Sequence, residues 1–316
     1  MRLALMTEPQ QGLSYEEIRA LATTAEEAGL EAYFRSDHYA SFPGEAGLPT
    51  TDAWSTLAGL ARDTTRIRLG SLVSPVTFRL PGVLAKQVAT VDEMSGGRIE
   101  LGLGAGWNQE EHEQLGIPYP GLGERYDMLE EAVGLIHGLW TEPDGWSFGG
   151  RHWQVRSARF VPRPTQGGRP HPPIILGGRG GPRLTRLAAR FADELNIVSA
   201  SPERAREAYA RLAGACRDVG RDPDEVTRSA MTGVLLAESE RDLRDRTREL
   251  LELTAEPGTD AEAWLAERRT RWIMGTLDQA AERVQALADA GAQRVMLQDF
   301  MPRDLEMVRL MAGLGR

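Results

Sequence analysis

The chain has 316 residues, one cysteine, and 46 acidic against 37 basic side chains, for a formal net charge of −9. Such a surface repels phosphate backbones, which sets general nucleic-acid binding aside. The lone Cys216 excludes an intramolecular disulfide and a cysteine-based zinc site, and its setting among Leu212, Ala213 and Ala215 reads as the buried side of a helix.

The N-terminal apolar run Leu3–Met6 is cut by Glu8 and is too short for a signal peptide. No apolar run approaches the roughly 20 residues of a membrane span. The expectation is a cytoplasmic protein without a membrane partner. Leu3–Met6 reads as strand one. A helix starts at Ser14, where Ser14 and Glu17 form a capping box, and runs to Gly29. Ala32–Arg35 is strand two, followed by a helix from about Asp52 to Arg62 capped by Thr51 or Asp52. Ile67–Val73 is strand three, and the next helix, from about Pro81 to Met94, has proline in its first turn. Ile99–Leu103 is strand four and Glu124–Leu139 a helix. A hairpin-like stretch around Phe148–Arg151 and a Pro/Gly-rich span to Pro173 read as an insertion over about 141–173. Ile174–Leu176 is strand five, Pro182–Phe191 a helix, Glu194–Val198 strand six, and Pro202–Val219 a helix. Ser229–Leu236 is strand seven, followed by a charged helix over Glu240–Leu253. A second insertion, 256–272, precedes a helix from about Leu277 to Ala290. Val295–Gln298 is strand eight, and a short helix ends the chain.

This alternation demands a parallel sheet with helices outside. Eight repeats favour closure, so the predicted fold is α/β: a single (β/α)8 TIM barrel over residues 1–316, with the two insertions. About 250 residues is usual for such a barrel, which leaves room for them. No Gly-x-Gly-x-x-Gly follows strand one, against a dinucleotide-binding fold.

In these barrels sites form at the C-terminal ends of strands, so residues just after a strand face the mouth and residues just before one lie at the bottom. After strand two comes Ser36-Asp37-His38-Tyr39. An imidazole beside a carboxylate suits proton transfer; the bland alternative is a polar loop in which Asp37 caps a turn. Strand three runs into Leu72-Val73-Ser74-Pro75, where an apolar bulge could support one face of a flat ring, or simply be a loop. After strand four, Gly102, Gly104 and Gly106 alternate around Ala105 and lead to Trp107 and Asn108. Glycines there let another group approach the backbone. Ser95-Gly96-Gly97-Arg98 precedes strand four and reads as a tight turn at the bottom. After strand five, Gly177, Gly178, Arg179 and Gly180 lead into a helix, an anion site suited to phosphate unless the glycines only permit packing.

The other histidines, His112, His137, His152 and His171, show no metal-ligand spacing, so no metal is expected. His112, in Glu110-Glu111-His112-Glu113, reads as a solvated helix start. There is no Gly-x-Ser-x-Gly elbow for a serine hydrolase. The sole lysine, Lys86, lies within a helix, against an aldolase-type barrel. Most tryptophans read as packing, but Trp107 follows a strand at the mouth and is a candidate substrate contact.

With these segments in this order, nearly the whole chain resembles the bacterial luciferase-like monooxygenase family, especially its coenzyme F420-dependent oxidoreductases. The resemblance rests on Ser36-Asp37-His38, on Leu69 through Arg79, on Ser95-Gly96-Gly97-Arg98 through Gly104-Ala105-Gly106-Trp107-Asn108, on Ile175-Leu176-Gly177-Gly178, and on Gly275-Thr276. It implies a cofactor at the barrel mouth. Asp37 would touch the ring system, and His38 would be the proton donor or acceptor. Leu72-Val73, with Ser74, would back the ring through a cis peptide. Gly104, Ala105, Gly106 and Asn108 would lie near the cofactor tail, and Gly177, Gly178, Arg179 and Gly180 would hold its phosphate. Flavin members of the family often carry Glu-His-His after strand two; Ser-Asp-His resembles the deazaflavin branch. A deazaflavin passes hydride in two-electron steps and activates oxygen poorly, which implies a reductase acting on a small organic substrate. Some sugar-phosphate-oxidising relatives have a glutamate where this chain has Trp107, against assuming their substrate. The alternatives are an FMN-dependent monooxygenase fed reduced flavin by a partner, and a non-catalytic cofactor-binding barrel. Homodimers are common in the family, though no feature of this sequence proves one.

Overall fold

Two-residue alternation decides the barrel strands. In Leu3-Ala4-Leu5-Met6, Leu3 and Leu5 pack under the helices, whereas Ala4 and Met6 join an inner cluster with Ala32, Phe34, Ile175, Met231 and Met296. The computed structural model describes residues 1–164, 166–254 and 258–315. Its elements run β1 (Arg2–Thr7), α1 (Tyr15–Ala28), β2 (Ala32–Arg35), α2 (Ala53–Asp63), β3 (Arg68–Pro75), α3 (Pro81–Ser95), β4 (Ile99–Gly104), α4 (Gln109–Leu115) and α5 (Leu122–Thr141). An antiparallel hairpin follows, β5 (Trp146–Gly149) with β6 (Gln154–Ala158). Then come β7 (Ile174–Gly178), α6 (Pro182–Phe191), β8 (Glu194–Ile197), α7 (Pro202–Asp218), β9 (Thr227–Leu236), α8 (Glu240–Leu253) and α9 (Ala261–Arg268). The last are β10 (Ile273–Gly275), α10 (Leu277–Asp289), β11 (Arg294–Asp299) and α11 (Leu305–Gly313).

Among the described residues, β1, β2, β3, β4, β7, β8, β9 and β11 pair in parallel around a closed ring, β11 returning to β1. This is the (β/α)8 TIM barrel. Every strand end that follows its own direction therefore reaches one rim. The insertion expected over 141–173 holds the hairpin. The one expected over 256–272 holds α9; its residues 256 and 257 lie outside the described residues. One short strand escapes the sequence reading, β10, which pairs with the far end of β9, while α4 begins where a helix start is expected. No described helix is long and apolar enough to cross a membrane.

Local chemistry fixes the element ends. The Ser14–Glu17 capping box forms, and Gly29 ends α1 in the left-handed conformation. Asp52, not Thr51, caps α2. Gly96 and Gly97, both at positive φ, turn the chain below β4, and Arg98 ties that turn to the carbonyls of Ala61, Thr64 and Ile67. The turn lies at the bottom, as its place before β4 requires.

The bottom is closed by charge. Arg294, at the start of β11, lies 2.7 Å from Glu100 and 3.2 Å from Glu194, and Arg68 is 2.5 Å from Glu100. Burial alone would raise both carboxyls. At Glu100 the two guanidiniums overcome it and hold the group down to about 2, while at Glu194 burial prevails and the group is raised. The paired charges plug the end away from the mouth, so Arg294 is structural.

Candidate active site

The rim is built around a bulge in β3. Register against β4 shifts between Ser71 and Ser74, and the peptide between Leu72 and Val73 is cis, as the resemblance implies. Val73 sits among glycines from two neighbouring strands. A Cβ on Gly104 would lie 2.6 Å from Val73 Cγ2, and one on Gly177 would lie 2.6 Å from Val73 Cγ1. On Gly102 it would meet the Ser71 carbonyl oxygen at 2.1 Å. The glycines after strands four and five thus make room for the bulge itself. Leu72 is buried in the inner cluster, so Val73 is the bulge residue left partly open.

Asp37 and Ser74 form the support beneath this surface. Asp37 is fully buried, and its carboxylate accepts from Ser74 Oγ at 2.7 Å and from both terminal nitrogens of Arg79 at 2.5 and 3.2 Å. Trp54 Nε1 donates to Ser74 Oγ at 3.0 Å. Arg79 also reaches Asp52 and the Tyr39 hydroxyl. Burial would raise Asp52, but Arg79 holds it down to about 2. With its oxygens engaged from two sides, Asp37 braces β2 against the β3 exit. That geometry suits a positioning residue better than the ring contact the resemblance implies.

His38 is the open member of the pair. Its Nδ1 lies 2.9 and 3.2 Å from the two carboxylate oxygens of Glu111, which also accept from the Tyr39 backbone N–H at 3.0 Å. A carboxylate can only accept, so Nδ1 donates to it, and Nε2 is the nitrogen turned away from Glu111. Nε2 has no hydrogen-bond partner among the described residues. The edges of Phe42 and Trp107 flank the ring, with centroids at 4.6 and 5.8 Å. Trp107 is 64% exposed at the mouth, the place expected of a substrate contact.

Glu111 and His112 correct the sequence reading. The run Glu110–Glu113 looks like a solvated helix start, yet Glu111 and His112 are buried. His112 Nδ1 donates to the Asn108 carbonyl at 2.6 Å, and its Nε2 accepts from Thr77 Oγ1 at 2.7 Å, tying α4 to the β3 exit. Their alternation with the exposed Glu110 and Glu113 was the available signal: two adjacent residues facing inward on the helix that follows the mouth glycines.

Asn108 caps that helix, its side chain accepting from the Glu110 N–H at 3.1 Å, which leaves its amide nitrogen for other contacts. Ala105 and Gly106 are partly open on the rim, and Gly106 has positive φ with Pro75 and Thr77 close by. On the far side, β7 ends in Gly177 and Gly178, and Gly180 is buried at positive φ against Ala208 and Ile197. Arg179 between them is exposed and has no carboxylate partner among the described residues. The capless N-terminus of α6 follows directly. Beside β1 and β11 lies a polar chain the sequence reading missed: Gln298 donates to Glu8, Gln10 to Glu8, and Ser36 to Gln10.

A closed parallel barrel with an imidazole–carboxylate pair and a glycine-seated bulge on its C-terminal rim is the architecture of a barrel enzyme. The profile of the luciferase-like monooxygenase family matches residues 1–294, and the chain belongs to that family. The F420-dependent glucose-6-phosphate dehydrogenase of Nakamurella multipartita is 32% identical over 302 residues, covering 89% of this chain and 85% of that protein. An F420-dependent secondary alcohol dehydrogenase, solved with an F420-acetone adduct, superposes with a TM-score of 0.82 at 18% identity, over 99% and 97% of the two chains. A monooxygenase from Streptomyces bottropensis superposes at 0.81 and 23% identity, over 99% and 98%. These two likenesses are of fold.

Proposed function

We propose that the protein is an F420-dependent oxidoreductase that passes hydride from the reduced deazaflavin to a small organic substrate at the barrel mouth. The observation that carries the reading is the His38–Glu111 pair on the rim, with Nε2 unpartnered among the described residues. The naming of a relative at 32% identity supports the choice of cofactor.

The residues present fit the group. The open side of Val73, seated among glycines, offers a flat apolar support for one ring face. The Gly104–Gly106 backbone and the free amide nitrogen of Asn108 would follow the tail. Arg179 and the α6 N-terminus, a cation and orphan N–H groups together, would hold a phosphate. When bound, the deazaflavin supplies the hydride.

The chain's own part is the proton. Glu111 fixes the His38 ring by its Nδ1–H, so one nitrogen alone faces the reacting pair. With Nε2 protonated, His38 would donate to the substrate atom that gains electron density, and Glu111 offsets the imidazolium charge. Phe42 and Trp107 limit solvent around the ring. Asp37 and Arg79 act through position, holding the β2 and β3 exits in register.

The experiment is His38→Ala under saturating reduced F420. Turnover should fall about 10²-fold or more while cofactor affinity stays within about twofold. Unchanged turnover removes His38 from the mechanism.

A further inference from the structure

A second concavity lies on the same rim, outside the His38 site. It is a groove of about 540 Å³ between the loops after β1 and β2, the C-terminal half of α8 and the loop after β11. Its size suits a small organic molecule. The walls meet closely: a Cβ on Gly44 would lie 2.2 Å from the Leu253 carbonyl oxygen, and one on Gly12 would lie 3.3 Å from Leu48 Cβ. Pro43, Leu48, Leu253 and Phe300 supply apolar surface.

Its charges are mostly of one sign. Four carboxylates line the groove against one guanidinium. Arg303 is spent on Glu17 at 2.7 Å and the Gly12 carbonyl at 3.1 Å, and Asp304 is paired with Arg246 at 2.7 Å. Glu45, Glu249 and Glu252 make no ion pair among the described residues. The groove therefore offers negative charge around an apolar floor.

It also adjoins the reaction centre. Phe42, whose ring edge packs on His38, is followed directly by Pro43 on the groove wall. We propose that this groove holds the body of the substrate and selects an amine-bearing, cationic molecule with an apolar frame. As a statement about substrate this rests on the oxidoreductase reading above; as a binding site it does not. An anionic sugar phosphate would meet like charge here.

Two probes of similar frame and opposite charge test it: phenethylammonium and 3-phenylpropionate, titrated calorimetrically at low salt into the full chain and into Glu249→Gln/Glu252→Gln. Both substitutions lie on the exposed face of α8 and spare the core. The ammonium should bind about tenfold or more tighter than the carboxylate. The preference should drop below about threefold in the double variant and shrink at about 0.5 M salt, because exposed charges are screened. Equal affinities, or a preference unmoved by the double variant, overturn the proposal. F420 titration of the same samples separates the two readings. Ammonium preference without F420 binding leaves the groove standing and removes its catalytic setting. F420 binding without ammonium preference removes the groove alone.

Discussion

His38 Nδ1 lies 2.9 Å from Glu111 Oε1, across 73 positions of sequence. The contact joins the exit of β2 to a helix that begins only after β4. It fixes both the tautomer of the imidazole and its direction. Glu111→Gln keeps the size of the side chain but removes the charge that balances a protonated His38. We expect kcat to fall about 10²-fold, with KM and F420 affinity within about twofold. Steady-state kinetics together with cofactor titration check this. A loss of F420 affinity as large as the loss of kcat would mean that Glu111 serves the fold of the rim and not proton transfer.

The glycines around Val73 yield a paired test. In Gly177→Ala the new methyl would stand 2.6 Å from Val73 Cγ1, so Val73 must move toward the space assigned to the ring. F420 affinity should drop about tenfold or more. Adding Val73→Ala removes the clash and should restore affinity to within about threefold, a non-additivity that only direct contact produces. Independent, additive losses across this cycle would show that Gly177 meets the cofactor for itself.

Much of this architecture is legible in the residues and some of it is not. The alternation of Leu3–Met6, the Ser14–Glu17 box and the proline opening α3 carry local physics, and the elements they define appear nearly where expected. Strand direction then sends Asp37, His38, Gly104 and Gly177 to one rim. The partners of these residues are tertiary. Glu110-Glu111-His112-Glu113 has the composition of a solvated helix start, and only the docking of α4 on the β3 exit buries its two middle residues. Glycines after a strand signal close approach without naming what approaches; here it is Val73 from the bulge. The ion pair that engages Asp37 is hidden in the sequence because Arg79, 42 positions on, sits in a loop without periodicity. The three residues of β10 are too few to announce a strand.

Asp299 predicts a pH signature. It is fully buried; Oδ1 accepts from the Met301 N–H at 2.8 Å and Oδ2 has no hydrogen-bond partner among the described residues. Burial raises its carboxyl to about 7, against the opposing pull of that N–H. The folded chain thus keeps a proton that the unfolded chain releases near pH 4. The associated stability is complete below pH 4 and is lost as pH climbs through 7. Asp299→Asn, which keeps an oxygen for Met301, removes this dependence. Between pH 4 and 7 the wild type should lose roughly 4 kcal/mol relative to the variant by chemical denaturation. Parallel stability curves would show that Asp299 is ionised in the fold.

The most direct measurement is fluorescence titration of the purified chain with F420 and, separately, with FMN. A rim that seats a deazaflavin on Val73 and its phosphate by Arg179 should quench F420 at micromolar concentration and bind FMN at least about tenfold more weakly. Tighter binding of FMN, or no binding of either, contradicts the account.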